Sequence, residues 1–261
     1  MSMKVFFSLW VMMSVFAAAG NCAAPPVNWK EYKAQHFVIY YKNISQDFLK
    51  EVEKSAESYY YEITQNLGLV RYDHWTWEKR AKIYIYDDNE DFVKNGDQAG
   101  WAAGVASAHG KIIQTFPAAF GFFDSTLPHE MAHIIFREFV TERADVPLWF
   151  EEGVAMLQEK AKRYGVDKFV QSAMEKNEFI PLTKIHNMRL YKNSDSKDVE
   201  LYYAESASVV HYMMSELGES RFVQFCRALK EGLSFEEALG KVYYRFKTID
   251  DLNKAWINFL K

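Results

Sequence analysis

His129-Glu130-Met131-Ala132-His133 puts two imidazoles four residues apart, with a carboxylate beside the first. On a helix, residues four apart lie about 40° from each other in projection and one turn along. Both rings can therefore reach one ion. Neutral imidazole holds zinc at about 2.0–2.1 Å without cancelling its charge. A zinc left positive lowers the pKa of a bound water toward about 7. Glu130 projects from a neighbouring direction, suited to such a water and not to the metal. The five-residue pattern alone would arise by chance in on the order of one chain in a hundred of this length. A third donor raises its weight. Eighteen residues separate His133 from Glu152. If residues 141–147 join two antiparallel helices, Glu152 returns toward the histidines. Two histidines and one glutamate leave a fourth position open, as hydrolytic zinc chemistry requires.

These residues need a scaffold. Leu127, Met131, Ile134, Ile135 and Phe139 give residues 124–140 an apolar helical face, with Asp124 or Ser125 as the cap. Pro147 opens the next helix, which is expected to run to about Lys162. Upstream, residues 36–42 and 82–86 read as strands. A helix capped by Ser45 or Asp47 lies between them and ends at Gly68. Residues 100–116 read as two strands joined near His109-Gly110, and residues 89–94 as a helical turn. Beyond Asp167 the pattern is helical, at about 167–176, 200–217, 219–230, 234–241 and 248–260. Strands first and helices later predict an α+β fold. A small mixed or antiparallel sheet and the 129–133 helix form an N-terminal lobe (about 25–140). An all-helical C-terminal lobe (about 141–261) follows, with the metal site in the cleft between. No repeat and no low-complexity segment interrupts residues 25–261, which read as one domain.

Composition narrows the partners. The 261 residues are 49% hydrophobic and 25% charged, enough to bury a core. The net charge is −4 and no basic block is present, so the cationic footprint that nucleic acid needs is missing. Lys4 is the only charge among the first 24 residues; an apolar stretch from Val5 to Phe16 and the small residues Ala17 to Gly20 follow it. That is the layout of a signal peptide, and the apolar stretch is short for a membrane span. A secreted, periplasmic or cell-envelope location is expected. An uncleaved anchor is the alternative, as is a lipid anchor at Cys22. Loss of Cys22 would leave Cys226 alone and exclude an internal disulfide.

The two histidines, the eighteen-residue spacing and Trp149-Phe150-Glu151-Glu152-Gly153-Val154-Ala155 together resemble the gluzincin metallopeptidases. They are most similar to the bacterial peptidase-MA-like group of secreted or envelope proteins. Leu201-Tyr202-Tyr203-Ala204-Glu205-Ser206-Ala207 resembles a segment that opens a later helix in that group. The similarity spans roughly residues 80–240. It implies a thermolysin-like fold and one zinc ion per chain, held by His129, His133 and Glu152. Glu130 would act as general base on the zinc-activated water. Tyr203, or Tyr202 in its place, would steady the oxyanion. The implied substrate is a peptide or protein. Aminopeptidases of the clan hold the substrate's free amine with a glutamate in a Gly-x-Met-Glu-Asn strand. The corresponding Gly100-Trp101-Ala102-Ala103-Gly104-Val105 has no acidic residue, which points to an endopeptidase. Some members also orient a ligand histidine with an acidic group one turn after the ligand glutamate, where this chain has Met156.

Other residues fit simpler roles. Glu151 is turned about 100° from Glu152 and reads as a solvated group or one that supports the ligands. His211 follows Tyr203 by two turns and reads first as a packing residue. His109 is expected in solvent. His36, His74 and His186 lack ligand spacing. Trp75-Thr76-Trp77 reads as an anchor under a loop, with a sugar-stacking surface as the alternative. Two rival functions share the same ligands: a zinc hydrolase of cell-wall amide bonds, and an inactive zinc-stabilised scaffold. An intact Glu130 argues against the scaffold, because a structural site needs no base.

Overall fold

A computed structural model describes residues 28–69, 74–98, 102–160, 165–190 and 194–261. The expected signal peptide, Cys22, Gly100 and Trp101 lie outside the described residues. The chain begins with β1 (Lys30–Lys33) and β2 (Phe37–Tyr41), then α1 (Gln46–Asn66) and β3 (Ala81–Ile85). A short α2 (Asn89–Asn95), β4 (Gly104–Ser107) and β5 (Ile112–Thr115) follow. The five strands order as β1-β2-β3-β5-β4. The outer pairs are antiparallel and the two inner pairs parallel, so the sheet is mixed. β2, α1 and β3 form a crossover unit. Ser45 caps α1 by accepting the Phe48 N–H at 3.2 Å. Leu49, Val52, Ala56, Tyr60 and Ile63 line its buried face.

The rest of the fold is helical: α3 (Leu127–Val140), α4 (Leu148–Met156), α5 (Val166–Glu175), α6 (Leu182–Ile185), α7 (Ser196–Ser215), α8 (Glu219–Lys230), α9 (Phe235–Tyr243) and α10 (Ile249–Leu260). Capping boxes at Ser234/Glu237 and Thr248/Asp251 start the last two. One cluster of buried apolar side chains runs from Ala34 to Leu260 and joins sheet to helices. This is an α+β fold with a small sheet early and helices late.

Three local expectations change, and one strand is new. Neither Asp124 nor Ser125 caps α3. Gly121, in the left-handed region at φ 57°, instead turns the chain into a π-helical turn at Phe122–Thr126. Its carbonyl accepts the N–H groups of Asp124, Ser125 and Thr126, so the backbone does the capping. α4 stops at Met156, and the chain curls so that the Lys160 N–H reaches the Asp124 carbonyl at 2.9 Å. α7 starts four residues early, because Asp195 caps it through the Lys197 N–H. β1 has no alternating apolar pattern to read, being a charged edge strand of sequence KEYK.

Candidate metal centre

α3 and α4 carry His129, His133 and Glu152, the candidate ligands, and α7 packs across α4. Every residue of α4 from Trp149 to Met156 is buried. Gly153 explains how α7 comes so close: a Cβ there would stand 2.4 Å from the Ser206 carbonyl oxygen and 2.7 Å from Val210 Cγ2. Trp149 anchors the start of α4 and donates its indole N–H to His186 Nδ1 at 3.1 Å.

The donor atoms of His129, His133 and Glu152 lie within 4.8 Å of one another, and all three residues are buried. The Nε2 atoms of the two histidines are 3.2 Å apart. Glu152 Oε2 stands 3.4 Å from His129 Nε2 and 3.7 Å from His133 Nε2. Donors set tetrahedrally at about 2.0–2.1 Å from one ion would be about 3.3–3.4 Å apart. The triangle therefore fits one face of a zinc coordination shell. Glu152 Oε2 is buried with no hydrogen-bond partner among the described residues, a costly arrangement unless a cation answers it.

The other nitrogen of each ring is held by a carboxylate. His129 Nδ1 pairs with Glu159 Oε1 at 3.0 Å, and His133 Nδ1 pairs with Glu151 Oε1 at 3.3 Å. An ionised carboxylate only accepts, so each Nδ1 donates and each Nε2 turns a lone pair toward its neighbour. Two lone pairs facing each other call for a positive charge between them. Burial pulls the His129 pKa down, yet Glu152 and Glu159 outweigh burial and raise it to about 10.

Arg137, one turn after His133 on α3, holds Glu151. Its Nε and Nη2 reach Glu151 Oε2 at 2.9 and 2.5 Å, and its Nη1 donates to the Ala144 carbonyl at 3.3 Å. One residue thus joins α3, the connecting loop and the first turn of α4. Burial works against the Glu151 charge, but His133 and Arg137 prevail and hold its pKa below the usual range. Glu151 is accordingly buried against the His133 ring and is not solvated. The orienting role that Met156 cannot fill belongs to Glu159, seven residues after Glu152.

Glu130 is fully buried, and neither carboxylate oxygen has a hydrogen-bond partner among the described residues. Burial raises its pKa; His129 and His133 pull it down, and Glu152 and Glu159 push it up again. Tyr203 on α7 is buried near enough for Glu152, Glu130 and Glu159 to add to the effect of burial, lifting its phenol well above the ordinary value. The Tyr202 phenol is also raised, by burial and then Glu152, and its hydroxyl has no hydrogen-bond partner among the described residues. The structure thus brings His129, Glu130, His133, Glu152 and both tyrosines into one region.

Other histidines lie elsewhere. His211 pairs with Asp167 at 2.7 Å and lines a separate cavity of about 250 Å³ with Asn66, Gln158 and Glu219. His109 is exposed, as expected, and His36 is buried against Glu57. Trp75 is a buried anchor whose indole donates to Glu138 at 2.7 Å, while Trp77 is exposed. Cys226 is buried and has no disulfide partner among the described residues.

Residues 64–261 match the family described as the Peptidase MA superfamily. No curated protein matches the chain. Among solved structures, leukotriene A4 hydrolase from Saccharomyces cerevisiae is 16% identical with a TM-score of 0.49, over 86% of this chain and 37% of that one. An M1 zinc metallopeptidase from Deinococcus radiodurans is 12% identical with a TM-score of 0.48, over 88% of this chain and 51% of that one. The chain thus spans about a third to a half of the length of these proteins.

Proposed function

The chain belongs to the Peptidase MA superfamily, and from that premise we propose that it is a zinc-dependent metallopeptidase that cuts within peptide chains. The observation that carries the reading is the triangle of His129 Nε2, His133 Nε2 and Glu152 Oε2, with the carboxylate of Glu130 buried beside it without a partner. Zinc bound there would acidify a water and polarise the scissile carbonyl. The protein's own residues do the rest. Glu151 and Glu159 keep the two rings turned so that Nε2 faces inward. Glu130 accepts the proton of the attacking water and passes it to the departing amine. The Tyr203 phenol, kept protonated by its raised pKa, donates to the developing oxyanion, with Tyr202 in reserve.

Two features support an internal cut in an extended substrate. β4 is an edge strand, paired only with β5 in the sheet order, so a peptide can add alongside it. Ala102 to Ser107 carries no carboxylate to hold a free amine. Localisation in the cell envelope or outside the cell, directed by residues 1–24, is part of the same proposal.

The test has two arms. Elemental mass spectrometry of the purified protein is expected to find about one zinc per chain, lost in His133→Ala and kept in Glu130→Gln. Hydrolysis of a mixed peptide library is expected to fall by about 10²–10⁴-fold in Glu130→Gln. A folded wild type that takes up no zinc would overturn the metal site. Undiminished hydrolysis by Glu130→Gln would overturn the base.

A further inference from the structure

Gly104 is buried in β4, and the base lies against it. A Cβ at this position would stand 2.8 Å from Thr126 Cγ2, 3.0 Å from Glu130 Cγ and 3.2 Å from Glu130 Oε1. Its φ is not in the left-handed region, so conformation does not require a glycine. Close approach does: the strand backbone touches the flank of Glu130 with no side chain between.

The surroundings fix which partner would yield. Thr126 is fully buried, and its hydroxyl donates to the Phe120 carbonyl at 3.0 Å. β4 is tied to β5, with Gly104 opposite Thr115, and the Thr115 hydroxyl donates to the Ala103 carbonyl at 2.8 Å. The strand and Thr126 are therefore both pinned. The Glu130 carboxylate has no hydrogen bond to another described residue and is the group that an added methyl would displace.

We propose that Gly104 is a positioning residue for the general base, setting where the Glu130 carboxylate rests. The inference depends on Glu130 being the base. It deepens that reading by giving the edge strand a second task beside receiving substrate. A carboxylate moved by a fraction of an ångström meets the proton it must take at the wrong distance, and misplacement of about 1 Å can cost on the order of 100-fold.

The experiment compares Gly104→Ala, Gly104→Ala with Thr126→Ser, and Glu130→Gln, each assayed as the full protein for zinc content, kcat and KM on one peptide. Gly104→Ala is expected to keep its zinc and its KM and to lose about 10-fold or more in kcat. Thr126→Ser removes the nearest contact, Cγ2, and keeps the hydroxyl on the Phe120 carbonyl. Added to Gly104→Ala, it lets the new methyl move away from Glu130 and restores most of kcat. Full kcat in Gly104→Ala overturns the proposal. So does a double variant that is folded and zinc-loaded yet no faster than the single one, which also covers the case where Gly104→Ala alone fails to fold. An inactive Glu130→Gln beside a fully active Gly104→Ala defeats this inference alone, whereas an active Glu130→Gln defeats the reading beneath it.

Discussion

Gly153→Ala sets helix propensity against packing. Gly153 lies inside α4, and alanine is favoured over glycine there by about 1 kcal/mol. Against that gain stands the approach of α7. A Cβ at this site would be 2.4 Å from the Ser206 carbonyl oxygen, 2.7 Å from its carbon and 2.7 Å from Val210 Cγ2. Two of the three atoms are backbone, so no rotamer change relieves them. Reaching 3.0 Å from the oxygen needs at least 0.6 Å of separation between the helices, and ordinary contact at 3.4 Å needs 1.0 Å. Overpacking a well-filled core costs about 1–3 kcal/mol, and the upper end applies when backbone must move. The packing cost exceeds the propensity gain, leaving a net loss of about 2 kcal/mol. For a chain of this size that is a fall of about 4–8 °C in Tm. Urea unfolding followed by far-UV circular dichroism measures it, with Gly165→Ala as a control, since nothing lies within 4 Å of a Cβ at that position. Glu152 adjoins Gly153, so zinc affinity measured by chelator competition is expected to fall as well. A Gly153→Ala protein as stable as wild type would mean that propensity wins and that the helices are not this close.

Two further outcomes follow from buried charge. Glu205 accepts the Ile180 N–H at 2.9 Å through Oε1, and its Oε2 is buried without a partner. Burial raises its pKa from 4.5 to about 8, against the opposing pulls of the Ile180 N–H and Lys184. The folded state thus keeps a proton that the unfolded chain gives up. The stability tied to that proton is full below pH 4.5 and is lost as pH rises toward 8, at about 1.4 kcal/mol per unit. Glu205→Gln should therefore gain on wild type across that window, by about 4 kcal/mol at its upper end; a gap that stays constant with pH would refute the account. Arg137→Met leaves the buried Glu151 carboxylate without its guanidinium and is expected to cost about 3–5 kcal/mol in urea unfolding. Adding Glu151→Gln should recover much of that loss, and no recovery would show that Arg137 acts chiefly through the Ala144 carbonyl.

That His129 and His133 lie side by side was legible because the helix period brings residues four apart together. Glu152 was legible because a short connection implies an antiparallel return. The residues that aim those ligands were not. α4 is buried all round, so no apolar stripe tells which way Glu151 points, and its adjacency to Glu152 left solvent and support of the ligands both open. Glu159 lies beyond the end of the helix, where helical projection no longer applies. Gly153 was visible as part of a motif, but its reason, the Ser206 carbonyl, belongs to a helix some fifty residues later. β1 and the π-helical turn were missed for a related cause: a charged edge strand has no alternation, and a backbone cap leaves no side-chain signature.

Glu130, Glu151, Glu152 and Glu159 are four acids buried around two imidazoles and one guanidinium. With the acids ionised and the imidazoles neutral, this core holds three negative charges in excess, and a divalent cation reduces the excess to one. Were zinc that cation, loading and folding would be one equilibrium, since a ligand that binds only the native state stabilises it by RT ln(1 + [L]/Kd). Zinc supply would set the lifetime of this protein as well as its activity. Chains that stay unloaded would open more often and fall first to whatever proteases surround them, so the population that persists would be the one already charged with metal.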